Sequence, residues 1–370
     1  MNIGFDAKRA FHNFSGLGNY SRLLIQSLSE LHKENQYYLY TPKYKPHTLH
    51  RFVNQDNCKI VIPNNIVSLL PSTFWRSYFM ANDINSQNIE IFHGLSGELP
   101  FPTLKMPKVV TIHDVIFMRY PKYYSAYDRK MYEKKFHQAC KIADKIITVS
   151  KQTADDCIHF LGADSQKIEI GYQSCDPMFF LPANENDIRK VYDLPEKFIL
   201  NVGTIEARKN LLNLVKVLKF IDDDISLVAI GRKTPYFIQV EKYIKENHLS
   251  HRVKFMHNIP FHDFPEIYSA ASVFVYPSVF EGFGIPVLEA LAVGTPVATS
   301  NISSMPEVGG DAALYFDPLN IDNMATQINL LLHDNDTIAA LNENRRKQLE
   351  KFSIESIAEN VNNIYKTVRL

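Results

Sequence analysis

This sequence of 370 residues is poor in cysteine and has no excess of charge of either sign. The four cysteines are Cys58, Cys140, Cys157 and Cys175. They lack the close pairs of a zinc site and the density of a secreted disulfide scaffold, so we expect a reducing, cytoplasmic location. Lysine plus arginine and aspartate plus glutamate both number 40. This balance leaves no overall positive field for nucleic acid, and we expect no nucleic-acid partner.

Long apolar runs are also missing. Residues 2–5 lead directly into Asp6, Lys8 and Arg9, which leaves no room for the apolar middle of a signal peptide. No other run approaches the roughly 20 apolar residues of a membrane-spanning helix. The segment Leu69–Met80 is rich in aromatic residues, but this pattern favours an amphipathic helix packed on a sheet over a membrane-binding one. We therefore expect any contact with a membrane to be peripheral.

What the sequence does contain is two series of short apolar strands, each strand followed by a helical pattern. The first series is 2–5, 37–40, 89–92, 108–112 and 145–149, and the second is 198–202, 226–230, 253–256, 272–276 and 296–299. This alternation predicts parallel strands joined by crossover helices. Because 370 residues exceed the usual size of a single core, we predict an α/β chain of two Rossmann-like parallel-sheet domains that divide near residue 180.

Ligands of open parallel sheets bind beyond the carboxyl ends of the strands, so the loops there are the candidate binding sites. The first such loop contains Gly16 and Gly18 ahead of a helical run that starts at Arg22, and its backbone amides could face an anion. A flexible turn before a helix is an equally good interpretation. Because Ser21 occupies the third glycine position of the dinucleotide fingerprint, a cofactor-dependent dehydrogenase is disfavoured.

A polar pair, His113 and Asp114, ends the strand 108–112. The imidazole could donate a hydrogen bond to a sugar hydroxyl or to a leaving oxygen, with Asp114 orienting the ring. A purely structural histidine is an equal alternative.

The loop after the strand 198–202 combines a glycine with two cations. Gly203 allows a ligand to approach the backbone, and Arg208 and Lys209 offer a planar fork and a point charge to a diphosphate. Adjacent cations are often only solvated surface, but their place at the end of a strand favours binding.

The loop that follows the strand 272–276 is rich in glycine and carries two glutamates. Pro286 suits the start of a helix and Gly294 its end, so the helix N-terminus can face a ligand. Glu281 in the loop and Glu289 one turn into the helix could bind hydroxyls of the same ligand or offset positive charge as a glycosidic bond breaks.

Four stretches carry a resemblance to a known family, namely VVTIHDVIF, ADKIITVSKQTADD, GTIEARKNL and EGFGIPVLEALAVGTPVATSNISSMPEVGGDAALYFDP. Together they resemble glycosyltransferase family 4 of the GT-B superfamily over essentially the whole chain. The resemblance implies a retaining enzyme without a cofactor or metal, which moves a sugar from a nucleoside diphosphate donor. It also implies that an acceptor-side domain (1–180, with the C-terminal helix 353–370 crossing back onto it) and a donor domain (181–352) face a central cleft.

The same resemblance implies the role of each site residue. The catalytic residues are Glu281 at the donor sugar, His113 beside the transferred sugar, and Arg208 and Lys209 at the diphosphate. The donor-binding residues are Gly16, Gly18, Gly203, Phe283, Gly284 and Ile285, through the close approach of their backbones, with Arg208, Lys209 and, at the ribose hydroxyls, Glu289.

The linker sequence bears on the donor. Residues 173–176 read Gln-Ser-Cys-Asp where the family often has Asn-Gly-Val-Asp, and this run resembles a subset of bacterial mannosyltransferase-like members. It implies GDP-mannose as the first choice of donor, with a UDP-sugar second. The implied acceptor is a saccharide, free or linked to a lipid diphosphate, in the synthesis of a surface polysaccharide such as lipopolysaccharide, at the cytoplasmic face of the inner membrane.

The segment Arg119–Lys145 has eight basic and three acidic residues. A helix with this composition could hold a lipid diphosphate or an anionic leaflet, or simply be a solvated face. The run Asp222–Asp224 matches a metal-binding Asp-x-Asp pattern, but its place before a strand predicts a solvated turn. Two functional alternatives stay open at this point: a nucleotide-sugar epimerase or hydrolase, and a non-catalytic nucleotide-sugar-binding subunit.

Overall fold

The computed structural model describes residues 1–63, 75–100, 104–182 and 185–369. The chain forms two compact units, Met1–Ser174 with Phe352–Leu370 and Cys175–Lys351. Of the aromatic segment Leu69–Met80, residues 69–74 lie outside the described residues. In the remainder of that segment, Trp75 and Met80 are buried in the core of the first unit.

Strands and helices alternate along the described residues of both units. The strands are β1 Asn2–Asp6, β2 Gln36–Tyr40, β3 Cys58–Val61, β4 Ile91–Gly94, β5 Lys108–Ile112, β6 Lys145–Thr148, β7 Ile168–Ile170, β8 Phe198–Val202, β9 Ser226–Ile230, β10 Val253–Met256, β11 Val273–Tyr276, β12 Val297–Ser300 and β13 Leu314–Phe316. The α-helices are Lys8–His12, Gly16–Leu31, Met80–Asn85, Ile116–Arg119, Ala126–Ile142, Lys151–Leu161, Glu185–Val191, Leu211–Val217, Phe237–Glu246, Phe264–Ala270, Ile285–Val293, Met305–Gly309, Ile321–His333, Asn335–Glu350 and Ile354–Arg369.

The first unit contains a parallel sheet in the order β3-β2-β1-β4-β5-β6-β7. Ile3 and Phe5 on β1 and Val109 and Val110 on β5 are fully buried. Successive side chains of a strand point to opposite faces, so helices must cover both faces of this sheet. That requirement explains why the central strands are continuous apolar runs in the sequence.

The second unit repeats the arrangement with the order β10-β9-β8-β11-β12-β13, again parallel. Strand order reverses between β1 and β4 in the first sheet and between β8 and β11 in the second. Such switch points leave a crevice at the carboxyl ends of the two neighbouring strands, where ligands of this fold bind. The prediction of two Rossmann-like parallel-sheet units is therefore confirmed, and the bounds of β5, β8, β9 and β10 are those predicted.

The strands that the sequence did not predict are β3, β7 and β13, which have three or four residues each. All three lie at an edge of their sheet. An edge strand is hydrogen-bonded on one side only, so it needs neither the length nor the apolar content of a central strand.

The C-terminal helix (Ile354–Arg369) packs within the first unit, against the helix Gly16–Leu31. Its buried apolar residues include Val361 and Ile364, which share one core cluster with Ile25 and Leu28. Tyr365 is also fully buried, and its hydroxyl lies 2.7 Å from Nδ1 of His93 on β4. The apolar face of this 16-residue helix is thus part of the core of the first unit.

We predict that Ile364→Ala lowers the free energy of unfolding of the first unit by about 2–5 kcal/mol, because it removes a buried side chain and leaves a cavity. Urea denaturation, monitored by hydrogen exchange of the amides of β1 and β2, measures this loss. The exposed neighbour Lys366 is the control, since Lys366→Ala removes no buried surface. Equal stability of the Ile364→Ala and Lys366→Ala variants would contradict the packing described here.

Candidate active site

The switch point of the second sheet brings together three of the predicted residues. Arg208 and Lys209 lie in the loop that follows β8, and Glu281 lies in the loop that follows the neighbouring strand β11. An Nη atom of Arg208 is 2.8 Å from Oε2 of Glu281, and Lys209 donates a hydrogen bond to Oε1. The side chains of Arg208, Lys209 and Glu281 are 20%, 14% and 12% exposed. One carboxylate is therefore shared by two cations in a largely buried setting.

Two hydroxyl groups complete the environment of Glu281. Tyr276, the last residue of β11, donates to Oε1 at 3.0 Å, and Ser278 donates to the same oxygen at 2.7 Å. The ammonium of Lys209 also lies 4.8 Å from the centre of the Tyr276 ring. Arg208 reaches back to Glu206 at 2.6 Å, a carboxylate that is 37% exposed. These contacts fix the orientation of the charged groups before any ligand binds.

Electrostatics in this cluster favour the ionised carboxylate. Burial alone would raise the pKa of Glu281, but the attraction of Lys209 and Arg208 outweighs burial and lowers it to about 2. Burial lowers the pKa of Lys209, and Glu281 opposes that effect. Glu281 is consequently an anion throughout the physiological pH range. It can accept hydrogen bonds or stabilise positive charge, but it cannot act as a proton donor there.

The backbone of the loop is held by serines and by a glycine. Ser303 and Ser304 both donate to the carbonyl of Glu281, at 2.6 and 3.0 Å, and Ser304 also donates to that of Phe283. Gly284 has a φ of 120° and precedes the helix Ile285–Val293. L side chains rarely adopt this backbone conformation, so position 284 favours glycine, and a Cβ there would also lie 2.5 Å from Cε of Met305. In the first turn of this helix Pro286 has no N–H and the amide of Val287 donates to the carbonyl of Gly284 at 3.0 Å, so the amides of Gly284 and Ile285 are the candidates for binding an anion.

Glu289 lies on this same helix in a different environment. The residue is 8% exposed, and the hydroxyl of Tyr268 donates to its Oε2 at 2.8 Å. Burial raises the pKa of Glu289 to about 7, with a further contribution from Asp176. Glu289 makes no hydrogen bond to Arg208 or Lys209 among the described residues. The two glutamates singled out from the sequence thus differ by several units in pKa.

Gly203 lies directly after β8 and beside the side chain of Lys209. The other predicted residues, Gly16, Gly18 and His113, belong to the first unit. Gly16 begins the helix Gly16–Leu31, and a Cβ on it would meet nothing within 4 Å. A Cβ on Gly18 would lie 1.7 Å from the carbonyl oxygen of Asn13, so this glycine has a packing role whatever it binds.

Both ring nitrogens of His113 are already hydrogen-bonded. Nε2 lies 2.9 Å from the carbonyl oxygen of Leu95 and must donate to it, which leaves Nδ1 as the acceptor of a 3.1 Å bond from the amide of Gln173. The ring of Tyr20 packs edge-on against the imidazole, with 4.6 Å between ring centres. Burial lowers the pKa of His113 to about 4, so the imidazole is neutral. The expectation that Asp114 orients the ring is wrong, because its carboxylate accepts instead from the amide of Ile116.

The amino-acid sequence is similar to those of known proteins over most of its length. Residues 14–177 match the model for "Glycosyltransferase Family 4", and residues 184–348 match that for "Glycosyl transferases group 1". O-antigen chain mannosyltransferase B of Escherichia coli is 30% identical over 284 residues, which are 75% of this chain and 74% of the relative. The chain belongs to glycosyltransferase family 4.

A second curated relative and a solved structure extend the comparison. O-antigen chain mannosyltransferase RfbU of Salmonella typhimurium is 30% identical over 212 residues, 57% of each chain. The structure of Anabaena HepE with UDP and glucose superimposes with a TM-score of 0.76, at 15% identity, over 99% of this chain and 100% of that one. At that identity the structural likeness shows the fold alone.

In this family 4 glycosyltransferase, sequence reasoning did not single out Tyr276, Ser278 or Gln173 as contacts of the site residues. The sequence positions of two of these residues could have indicated their role, since Tyr276 ends a strand and Ser278 lies at the start of the loop of Glu281. A hydroxyl at the carboxyl end of a switch-point strand is a candidate in its own right. Gln173 had no such signal, because its contact with His113 spans 60 positions.

The Asp222–Asp224 run of the glycosyltransferase lies in the predicted turn, just before β9 and thus at the amino end of the sheet. Asp223 and Asp224 face cations, Arg252 at 3.1 Å and Lys197 at 2.8 Å, and Asp222 faces the imidazole of His333 at 3.4 Å. Within the described residues, no helix combines the length and apolarity needed to cross a bilayer.

We predict that the Glu289→Gln variant of this glycosyltransferase gains stability over the unsubstituted chain as pH rises from about 5 to 8. The unfolded chain releases the Glu289 proton near its ordinary pKa of 4.5, whereas the folded chain holds it up to about pH 7. Ionisation therefore opposes folding above pH 4.5, by an amount on the order of 3 kcal/mol at full effect. Urea denaturation of the ligand-free protein at several pH values measures this difference. The matched substitution at the exposed Glu343 should leave the pH profile unchanged, and parallel profiles for Glu289→Gln and the unsubstituted chain would contradict the prediction.

Proposed function

We propose that this glycosyltransferase moves mannose from GDP-mannose to a saccharide or lipid-linked saccharide, with retention of configuration, during synthesis of a surface polysaccharide. The names of the O-antigen mannosyltransferase relatives support the sugar and the pathway. A UDP-sugar is the second choice of donor, supported by the UDP and glucose named for the structural relative.

The observation that carries the proposal is the cluster of Arg208, Lys209 and Glu281 at the switch point of the second sheet. A nucleoside diphosphate leaving group develops negative charge as the bond to the sugar breaks. A guanidinium and an ammonium held in place beforehand stabilise that charge without reorganisation during the reaction. The amides at Phe283, Gly284 and Ile285 add to this stabilisation through the positive end of their helix.

Glu281 would serve the donor sugar. Its low pKa keeps it ionised, so it accepts hydrogen bonds from sugar hydroxyls and favours positive charge on the ring in the transition state. Its Oε1 already accepts from Ser278 and Tyr276, and both its oxygens face cations. A carboxylate so fully occupied is a poor nucleophile, which favours front-side substitution over a covalent intermediate.

The remaining predicted residues are assigned by their places at strand ends. Glu289 would accept hydrogen bonds from the ribose hydroxyls, and Gly203 would allow the donor to approach the backbone. In the first unit, Gly16 and Gly18 would let the chain close over the phosphates; the amide of Gly18 itself donates to the carbonyl of Ser15 at 2.9 Å. His113, neutral and oriented by Leu95 and Gln173, would contact the transferred sugar.

We also place the enzyme in the cytoplasm, in peripheral contact with the inner membrane. The lysine-rich helix (Ala126–Ile142) supports this placement. Tyr127 at its start is 78% exposed, and Arg129, Lys130 and Lys134 lie along the same helix. Aromatic and basic side chains together suit an anionic leaflet.

We predict that Glu281→Gln and Lys209→Met each reduce mannose transfer by at least about 100-fold, the typical effect of losing one preorganised stabilising group. Each purified variant is added to membranes from cells that lack this protein, and the incorporation of labelled mannose from GDP-mannose into those membranes is measured. The controls are Glu343→Gln and Lys190→Met, both at exposed positions of the second unit. Circular dichroism confirms that each variant folds, and near-normal transfer by the folded Glu281→Gln and Lys209→Met variants would refute the proposal.

We predict that GDP-mannose raises the melting temperature of the protein more than UDP-glucose or ADP-glucose does at equal concentration. A ligand that binds only the folded state at 100 times its Kd adds about 2.7 kcal/mol to the free energy of unfolding. Thermal-shift measurements with the three nucleotide sugars compare them directly. A larger shift with UDP-glucose would replace GDP-mannose by the second choice of donor.

A further inference from the structure

The two cations proposed to bind a diphosphate are paired with carboxylates in the structure. Oε2 of Glu281 lies 2.8 Å from an Nη atom of Arg208, and its Oε1 accepts from Lys209. Arg208 also contacts Glu206 at 2.6 Å, and Lys209 also donates to the hydroxyl of Tyr276. Together the two cations and the two carboxylates carry no net charge. A phosphate oxygen that binds these cations must therefore share them with a carboxylate or replace it.

The backbone ties the loop of Glu281 to the loop of the cations. The amide of Val279 donates to the carbonyl of Arg208 at 2.9 Å, and the hydroxyl of Ser278 donates to the same carbonyl at 3.3 Å. The guanidinium of Arg208 in turn donates to the carbonyl of Phe280 at 2.8 Å. These contacts keep the carboxylate of Glu281 next to both cations, so it cannot withdraw from a bound anion unless they break.

Glu206 is held much less firmly than Glu281. Its side chain is 37% exposed, whereas that of Glu281 is 12% exposed. An exposed ion pair contributes little to stability, so Glu206 can turn towards solvent when a phosphate takes its place. The charge of Glu281 stays beside the ligand, in a largely buried setting where like charges repel each other strongly at close range.

We propose that Glu281 competes with the diphosphate for Arg208 and Lys209, and thereby sets the preference of the site for the intact donor over the nucleoside diphosphate product. The inference rests on the proposed transferase function and gives Glu281 a second role, in product release. While the donor is bound, hydrogen bonds from sugar hydroxyls to the carboxylate offset the repulsion. Once the sugar has left, that compensation is lost and the diphosphate gains a further negative charge, so it dissociates more readily.

A simpler role for Glu281 would be to hold the two cations in position for the ligand. In that case its loss would weaken the binding of every anion, whereas competition predicts that its loss strengthens the binding of the free diphosphate. The sign of this effect separates the two roles. Burial lowers the pKa of Lys209 and Glu281 opposes that effect, so the comparison is made at about pH 6, which favours the charged ammonium in every variant.

Isothermal titration of the full-length protein tests the inference. The unsubstituted protein is compared with Glu281→Gln, Glu206→Gln and Glu343→Gln, and circular dichroism shows whether each variant folds. Glu343 is the matched control, because it is exposed on a helix of the same unit. The ligands are GDP with GDP-mannose, UDP with UDP-glucose, and inorganic pyrophosphate, which has neither base nor sugar.

We expect Glu281→Gln to bind pyrophosphate and the preferred nucleoside diphosphate at least tenfold more tightly than the unsubstituted protein does, and the matching nucleotide sugar no more tightly. Glu206→Gln should bind the nucleoside diphosphate and its nucleotide sugar more tightly to an equal, smaller extent, because Glu206 has no part in binding the sugar. Glu343→Gln should change neither affinity. A general loss of structure would weaken both ligands, so it cannot produce opposite effects.

Equal or weaker binding of the nucleoside diphosphate and of pyrophosphate by folded Glu281→Gln would overturn the inference and leave the proposed transferase standing. An equal gain in affinity for the nucleoside diphosphate and the nucleotide sugar would overturn it as well. If Glu281→Gln does not fold, the absence of any gain in Glu206→Gln overturns the competition. Tighter binding of pyrophosphate by Glu281→Gln, with no nucleotide or nucleotide sugar bound by any variant, would instead defeat the proposed function and leave the competition for the cations standing.

Discussion

The shared ion pair of Glu281 with Arg208 and Lys209 is the constraint on which the second unit's site depends. Three charged side chains that are at least four-fifths buried lose most of their hydration, and each is tolerated only because the others compensate it. Removal of Glu281 would leave the buried ammonium of Lys209 without its carboxylate, whereas removal of either cation would leave Glu281 with the other one. The parallel pairing of β8 with β11 brings the two loops together, and the serines after β12 hold the glutamate loop in register.

Glu289 lies on the helix that follows the loop of Glu281, and its pKa is raised whereas that of Glu281 is lowered. Glu281 has two cations and two hydroxyls around it, whereas Glu289 has one tyrosine hydroxyl and an otherwise desolvating environment. Environment alone therefore separates two chemically identical carboxyls into a permanent anion and a group that titrates near neutral pH. In the proposed function this difference keeps Glu281 charged beside the donor sugar throughout the physiological pH range, whereas the charge of Glu289 depends on pH.

The sequence predicted those features that depend on local pattern. Central strands such as β5 and β8 are buried on both faces, so their apolar runs have sharp limits, whereas the edge strands β3, β7 and β13 carry no such signal. Glycines, cations and glutamates at strand ends identified the residues of the second unit's cluster. The partners of His113 could not be predicted, because Leu95 and Gln173 are brought to it by the sheet from 18 and 60 positions away.

The two switch points use similar charged residues but differ in the backbone around them. Glu281 balances both Arg208 and Lys209, and Arg208 also pairs with Glu206, which is 37% exposed and can give way to a ligand. A glycine-led helix N-terminus in the same unit adds amide donors, so this switch point retains capacity for an anion when its carboxylates are occupied. At the first switch point Arg76 and Lys135 are likewise paired with carboxylates, and the remaining polar group beside them is the neutral amide of Gln138. By this contrast the second switch point combines cations with amide donors at a helix N-terminus, which is the combination on which the proposed binding of a diphosphate depends.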